Sequence, residues 1–440
     1  LDVNDFTPGA QPVTVSGAGV GGLGAIMDTT TATAVGVNFR DVTMAADTTF
    51  GGAAGRWDIR VRNSTGAGPG LRGNGFNLTK EGAGFVSIAC QRDLGVNTPY
   101  WNMNLGNIVI NAGTLALAES LTVGNPAKTI TINSGAAIQV FDLGLTNPLV
   151  RNIFVSDGKI NGSGASTDTN VFTGTINATG TVSIRPDQCV MFFNGPITGS
   201  AAIAASAVDP GRIYLNGANT FAGNLTVTNG TIGGNGSITG SLIMQAGTLA
   251  PGQMDVLGTF SVGGNATLAG TNLMEINRAA SPNSDRLNVG GTLAFGGILK
   301  VVLGVGAASP QAGDVYQLFS KGSATSFSSI VLPDLSALPG GLSWNTTNLA
   351  VNGSISVSGT GPANPPTITS ASISGANFVF SGTGGTQGNN YIVLTTTNVA
   401  AGITNWTKIA TNQFQAGGTF SVTNVIAPNA PASFYELQVP

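Results

Sequence analysis

The feature that most constrains the fold is a short internal repeat. Its clearest copies share the pattern apolar, any residue, apolar, two polar or small residues, Gly, Thr, apolar, and they are residues 108–115 (IVINAGTL), 225–232 (LTVTNGTI) and 242–249 (LIMQAGTL). Looser copies begin at Ile130, Phe260 and Leu287, so the start-to-start steps are 22 from Ile108, and then 17, 18 and 27 from Leu225 onward. Steps near twenty residues are typical of a β-solenoid, in which each coil buries its apolar face only against the neighbouring coils.

Local patterning indicates the same class. Apolar and small polar residues alternate with period two in short runs that end at Gly, and no helical spacing persists for three turns. Gly can supply the positive φ of a corner, and Asn or Thr beside it can form hydrogen-bonded ladders between coils. We therefore predict an all-β chain, with a parallel β-solenoid (β-helix) rod followed by a small antiparallel β-sandwich. About 300 residues at about 20 per coil predict about 15 coils and a rod of about 70 Å.

Composition shifts divide the chain into units. We predict an extended N-terminal arm over 1–20 and the solenoid over 21–358, with an Arg-rich cap to about residue 75 and a more globular end over about 285–358. Residues 359–366 (GTGPANPP) form a linker by composition, since they hold three Pro and two Gly. The remaining 367–440 hold eight of the 29 aromatic residues of the chain, which fits a sandwich with an aromatic core.

Charge and hydropathy exclude several function classes. Only 37 of the 440 residues are charged, the formal net charge is −3, and no basic run exists that could neutralise a row of phosphates, so nucleic acid is an improbable partner. No apolar stretch approaches the roughly 20 residues of a membrane-spanning helix. The chain begins with Leu1 rather than Met, as a chain trimmed by a signal peptidase does, although a fragment boundary gives the same start.

Reactive side chains are scarce. Without His, neither a Ser-His-Asp triad nor a His-ligated metal site can form, and we expect no catalytic residues, no cofactor and no metal. The cluster of Glu275, Arg278, Asp285 and Arg286 holds as many cations as anions, which favours a structural ion pair over a catalytic site. Cys90 and Cys189 either form one disulfide or stay as two small buried apolar side chains, and the sequence leaves both alternatives open.

Several motifs along the repeat carry a family resemblance. They are residues 47–52 (DTTFGG), 55–59 (GRWDI), 78–82 (LTKEG), 215–227 (LNGANTFAGNLTV), 247–252 (GTLAPG) and 285–293 (DRLNVGGTL). With them the chain resembles passenger domains of bacterial autotransporters that carry autotransporter-associated β-strand repeats. The resemblance covers roughly residues 45–355 and implies a secreted β-solenoid, extracellular or on the cell surface of a Gram-negative-type bacterium.

The C-terminal end of the sequence departs from the autotransporter pattern. Autotransporters end in an exporting membrane barrel, whereas this sequence ends in the aromatic unit, which resembles C-terminal domains of large secreted repeat proteins of verrucomicrobia-like bacteria. That unit is then free for sorting, docking or assembly.

The function expected from these observations is structural. A rod with open ends and little charge favours head-to-tail self-association into filaments or a surface layer, through strand addition or end-stacking of coils. We expect the N-terminal arm to add as a strand to a neighbouring copy, with Phe6, Val13 and Val15 as anchors. The alternative is a surface adhesin or glycan-binding protein, in which Arg56, Trp57, Arg60 and Trp406 would contact cell-surface glycans. A carbohydrate-active β-helix enzyme is a weaker alternative.

Overall fold

The computed structural model describes most of the chain. The described residues are 1–4, 11–30, 38–60, 62–63, 66–67, 70–90, 101–119, 121–253, 255–338, 340–359, 366–385, 387–426 and 432–439. Within them the chain forms a β-solenoid of long parallel sheets, followed by small antiparallel sheets, as the sequence predicts.

Three parallel sheets form the faces of the rod. Sheet A pairs, in order, Val13–Gly17, Asp41–Phe50, Leu78–Lys80, Ile108–Ile110, Ile130–Ile132, Ile153–Ser156, Ile176–Thr179 and Ile197–Gly199, with Gly70–Arg72 also paired to Asp41–Phe50. Sheet B pairs Asn38–Phe39, Arg56–Arg60, Phe85–Cys90, Thr114–Glu119, Ala137–Phe141, Lys159–Ser163, Thr181–Asp187, Ala202–Ser206, Leu225–Asn229, Leu242–Met244, Ala266–Leu268 and Leu293–Phe295. Sheet C pairs Thr169–Phe172, Val190–Phe193, Arg212–Leu215, Thr231–Gly234, Thr248–Pro251, Thr271–Ile276, Ile298–Leu303 and Ser329–Val331.

Shorter sheets complete the rod. Sheet D pairs Ala218–Asn219, Ser237–Ile238, Thr259–Val262 and Arg286–Val289 in parallel, and it follows sheet A because the N–H of Thr220 donates to the carbonyl of Ile197. Two small pairs join Trp101–Asn102 with Leu121–Thr122 and Arg62–Asn63 with Gly66–Ala67. A 3-10 turn at Val20–Gly22 lies at the N-terminal end.

The observed register agrees with the repeat at three of the four predicted steps. Ile108 lies opposite Ile130, Leu225 opposite Leu242, and Phe260 opposite Leu287. The fourth step is wrong, because Leu242 pairs with Ala266 in sheet B whereas Phe260 belongs to sheet D, on another face. The copies at Leu225 and Leu242 therefore lie on one face, in sheet B, whereas those at Ile108, Ile130, Phe260 and Leu287 lie in sheets A and D.

The core is a set of stacked columns that run along the rod. Each column consists of the same strand position in successive coils, and one of them in sheet B contains Trp57, Val86, Leu115, Ile138, Ile160 and Ile184. All six side chains are buried, and burial of a side chain of this size contributes about 1.5–3 kcal/mol. Sheet B has 12 strands, so the rod is about 50 Å long at the usual strand spacing, shorter than predicted because its coils are longer than twenty residues.

Amide ladders join the coils at their corners. Asn77 donates from its side-chain nitrogen to Asp47 Oδ2 at 2.8 Å, and its Oδ1 accepts from the N–H of Asn107 at 2.7 Å. Asn107 in turn accepts at Oδ1 from the N–H of Thr129 at 3.0 Å. These contacts confirm the predicted ladders and satisfy backbone groups that the corners leave without a strand partner.

The C-terminal end of the rod changes to antiparallel structure. The strand Ser354–Ser358 pairs with Val315–Gln317 on one side and with Ser343–Asn345 on the other, and the short helix Leu349–Asn352 precedes it. Tyr316, Phe319, Phe327 and Trp344 form its aromatic contacts, and Tyr316 and Phe319 are buried in the same core as the rod.

The last unit has a separate aromatic core. One sheet pairs Thr367–Ser374, Asn377–Thr383 and Phe420–Val425, and the other pairs Thr407–Gln413, Asn390–Thr396 and Phe434–Gln438, all antiparallel. Two 3-10 turns lie at Ile403–Asn405 and Ala416–Gly418. Phe380, Tyr391, Val393, Phe414, Phe420 and Val422 form its buried cluster.

The disulfide alternative for the cysteines is wrong. Cys189 is a free, buried thiol, and its burial raises the pKa of the thiol to about 11. Cys90, whose side chain is outside the described part, ends a strand that lies four strands of sheet B before Thr181–Asp187. Four strand spacings are about 19 Å, whereas bridged cysteines need Cα atoms within about 7 Å.

Candidate assembly surfaces and grooves

The two ends of the rod present strands with one unpaired edge. Val13–Gly17 is the first strand of sheet A and Ser329–Val331 is the last strand of sheet C, and within the described residues each pairs on one side only. Neither strand contains a charged residue. Unpaired N–H and C=O groups on a strand that carries no charge of its own are a template for another strand.

Two of the three predicted anchors of the N-terminal arm, Val13 and Val15, pack on their own rod instead of on a neighbouring copy. Val13 and Val15 lie opposite Val42 and Met44 of their own rod, and Val15 is buried in its core. Val3 is buried as well, and the N-terminal ammonium donates to the carbonyl of Ala25 at 2.8 Å. Val13 and Val15 are therefore not free to leave as anchors, because their side chains complete the first coil, while Phe6 lies outside the described residues.

Apolar side chains are exposed at the N-terminal end of the rod. Val20 is 91% exposed, Leu1 60% and Leu23 59%. The N–H of Gly24 donates to the carbonyl of Ala18, and this hydrogen bond keeps the neighbouring Leu23 close to the end of the strand Val13–Gly17. Large exposed apolar side chains beside an unpaired strand edge are typical of a contact surface.

The residues predicted to contact glycans have different roles. Trp57 is buried, donates its indole N–H to the carbonyl of Gly51 at 2.8 Å, and packs edge-on against Phe39 and Phe50, so its prediction as a glycan contact is wrong. Trp406 is half-buried in the last unit, and its indole N–H donates to Ala401 at 2.9 Å. The structure does not bring the two tryptophans into one core.

Arg56 and Arg60 lie on the outer face of sheet B. Both donate to the buried carboxylate of Asp58, Arg56 at 2.9 Å and Arg60 at 2.8 Å, and Arg56 also stacks over the ring of Phe85 at 4.8 Å. They line one side of a groove of about 210 Å³ whose floor is formed by small side chains, including Ala116. The polar and aromatic residues of the groove also include Gln139, Phe141 and Ser163.

The predicted ion-pair cluster near residue 280 does not form as expected. Asp285 is buried and accepts from the backbone N–H groups of Gly258 at 2.8 Å and Glu275 at 2.9 Å. Arg278 instead pairs with Asp314 at 3.0 Å. Burial raises the pKa of Asp285 to about 7 and also raises the pKa of Glu275, whose carboxylate accepts from the N–H of Asp255.

Two buried cations were not singled out from the sequence. Arg151 donates to the carbonyls of Gly106 at 2.6 Å and of Leu105 and Val123 at 2.5 Å, and burial lowers its pKa to about 10. Lys80 donates to three turn carbonyls, at Glu81, Gly82 and Ala112, and burial lowers its pKa to about 8. The partners of Arg151 lie 28 to 46 residues away, so no local pattern signals them, whereas two of the three partners of Lys80 lie in its own segment, 78–82.

No protein family model matches the sequence, and no curated protein matches it. Within the described ranges, no helix has the length and apolar character needed to cross a membrane.

Proposed function

We propose that this chain is an extracellular structural protein that assembles head to tail into filaments or a surface layer. The observation that carries this proposal is the pair of uncharged strands at the ends of the parallel rod, Val13–Gly17 and Ser329–Val331, each with one edge that no strand of the described residues pairs. A contact between two different surfaces of one subunit does not close on itself, so its repetition gives an open chain of subunits.

The charge of the molecule supports this proposal. With a formal net charge of −3 on 440 residues, repulsion between copies is weak. The resemblance to autotransporter passenger domains supports an extracellular location on a Gram-negative-type bacterium.

Sedimentation velocity and negative-stain electron microscopy of the full chain test the proposal. We expect oligomers that grow with protein concentration into unbranched fibres, with little effect of salt because the joining edges are uncharged. A chain that stays monomeric across the accessible concentrations would overturn the proposal.

A pair of variants separates end-to-end from lateral association. Val20→Lys places a charge at the N-terminal end of the rod, and Phe154→Lys places one on its side, at a position that is also exposed. We expect the first variant to shorten the fibres and the second to leave them unchanged. The opposite result would indicate that the rods associate side by side.

The groove beside Arg56 supports a second candidate function, binding of a cell-surface glycan. It combines guanidinium groups with Phe85, Phe141 and Gln139, and such groups contact the hydroxyls and the apolar faces of sugars. Glycan-array binding by the full chain tests this role. We expect binding that Gln139→Ala reduces and that the exposed Asn177→Ala, on sheet A, leaves unchanged; an array without signal would exclude the role.

A further inference from the structure

The C-terminal unit has an uncovered strand. All eight residues of Thr367–Ser374 are exposed, although this strand pairs with Asn377–Thr383 along its length. Ile373 lies opposite Phe378 and Ala371 lies opposite Phe380, which is buried, so Ala371 and Ile373 point to the core side of their sheet. Ile373 is nevertheless 71% exposed.

The ring contacts between the two sheets explain this exposure. Tyr435 stacks on Phe378 with 5.0 Å between ring centroids, so the strand Phe434–Gln438 lies over Asn377–Thr383. Tyr391 contacts Phe420 at 5.7 Å, so Asn390–Thr396 lies over Phe420–Val425. Thr367–Ser374 is one strand further out, beyond Phe434–Gln438, and no strand of the described residues covers it.

The space that faces the core side of Thr367–Ser374 also lies next to one edge of the strand Phe434–Gln438. Phe434–Gln438 pairs with Asn390–Thr396 on one side, and in the described part of the chain its other side has no strand partner. A single strand added there would extend its sheet and cover Ile368, Ala371 and Ile373 at the same time. We name this position the open slot.

The open slot excludes a second C-terminal unit as its occupant. If Phe434–Gln438 of two copies paired with each other, the strand Asn377–Thr383 beneath the incoming copy would fall on the place that Thr367–Ser374 already occupies. The slot therefore accepts an edge strand only through a face that has no second layer. Within the described residues the outer face of Val13–Gly17, with the exposed Thr14 and Ser16, is such a face, whereas its inner face is covered by the core that contains Phe39.

We propose that the open slot receives the strand Val13–Gly17 of a second copy, still paired within its own rod. Both joining strands, Val13–Gly17 and Phe434–Gln438, are five residues long, and among the described strands each is paired along one edge only. Neither Val13–Gly17 nor Thr367–Ser374 carries a charge, and the one charged residue of Phe434–Gln438, Glu436, lies on the exposed outer face of its sheet, so no charge is buried without a partner. Strand addition supplies backbone hydrogen bonds along the whole contact.

Apolar side chains on both surfaces fit this contact. The rod end brings Leu1, Val20 and Leu23, and the open slot offers Ile368 and Ile373, all of which are exposed in the single chain. The inference rests on the proposed self-assembly and assigns the open slot, rather than the rod-end strand Ser329–Val331, as the surface that meets Val13–Gly17.

Lysine variants of the full chain test the inference. Ile373→Lys and Ile368→Lys place a charge in the slot at exposed positions, and Val399→Lys places one at a position that is 61% exposed, in the loop after Asn390–Thr396. We expect the two slot variants to remain folded monomers by circular dichroism and sedimentation, while Val399→Lys forms fibres like the unmodified chain.

Cysteine cross-linking gives an independent measurement of the same contact. A mixture of Ile373→Cys and Val20→Cys chains should yield at least tenfold more disulfide-linked dimer than a mixture of Val399→Cys and Val20→Cys chains. Equal yields from both mixtures would overturn the inference. Fibres that persist in both slot variants would overturn it and leave the proposed function intact, with the rod ends as the joint, whereas an unmodified chain that never polymerises would contradict both.

Discussion

At the scale of single residues, the rod depends on buried polar groups that replace strand pairing where the chain turns. Arg151 is the clearest case, because its guanidinium is completely buried and donates to carbonyls at Leu105, Gly106 and Val123. One side chain thus joins segments that are 28 to 46 residues away in sequence. Charged donors of this kind are worth more than neutral ones, and their removal leaves carbonyls buried without a partner.

Replacement of Arg151 by methionine should therefore be costly. We expect Arg151→Met to lower the free energy of unfolding by about 3–5 kcal/mol, because the buried carbonyls of Leu105 and Gly106 lose their donor and that of Val123 keeps only the N–H of Leu105. Chemical denaturation followed by circular dichroism measures this change. Arg185→Met, at an exposed position of sheet B, is the matched control and should change stability by less than about 0.5 kcal/mol; equal effects of the two changes would refute the role of Arg151.

The buried carboxyl of Asp285 predicts a pH dependence. Its pKa in the folded chain is raised from the ordinary value of 3.8 to about 7, so between these values the folded state keeps a proton that the unfolded chain has lost. Stability should then fall by on the order of 3 kcal/mol as the pH rises from about 4 to about 7, and level off above that. The neighbouring Glu275, whose pKa is also raised, acts in the same direction, and Asp255 is the other acidic group beside it.

Denaturation at a series of pH values measures this slope. Asp285→Asn should flatten it, at the cost of one of the two hydrogen bonds that the carboxylate accepts. The exposed Asp187→Asn should retain the slope of the unmodified chain. A slope that is unaffected by Asp285→Asn would assign the pH dependence to other groups.

At the scale of elements, strand register is maintained by columns of core side chains inside and by amide ladders at the corners. The ladder through Asp47, Asn77, Asn107 and Thr129 connects four successive coils. Because the Oδ1 atoms of Asn77 and Asn107 each accept a backbone N–H of the next coil, truncation of either side chain leaves that N–H without its partner.

Truncation of one ladder residue should measure its contribution. Asn107→Ala should lower the free energy of unfolding by about 1–2 kcal/mol, since the N–H of Thr129 loses its acceptor. Asn177→Ala, on the exposed side of a strand in sheet A, is the control and should have little effect. Thermal unfolding of both variants gives the comparison, and a control that is equally destabilised would show that the ladder adds nothing specific.

The sequence predicted those elements whose signal is local. The repeat predicts the pairing of Ile108 with Ile130 and of Phe260 with Leu287, because a column position recurs with the same residue type. It fails at the step from Leu242 because similar motifs occur on different faces. The partners of Arg151 lie in distant segments, which no spacing in the sequence reveals. The partners of Trp57 lie close in sequence, but its burial depends on which face of its strand is turned to the core.

At the scale of the whole molecule, the rod and the C-terminal unit offer complementary ends. The N-terminal strand Val13–Gly17 completes the first coil through Val15, and its other edge is free in the described part of the chain. The pattern of the sequence predicts an extended segment there, but only the three-dimensional contacts show that the segment packs on its own rod. In the same way, the open slot depends on which strands of the last unit lie over one another, and this follows from ring contacts rather than from residue order.

Diffraction from oriented fibres of the full chain tests most directly the claim that the rods join end to end. Coils that stack along the fibre axis place strands perpendicular to that axis, so we expect a reflection at about 4.7–4.8 Å on the meridian. The same fibres viewed by electron microscopy should show one subunit per axial repeat. The same reflection on the equator, or the absence of any fibre, would contradict end-to-end joining of the rods.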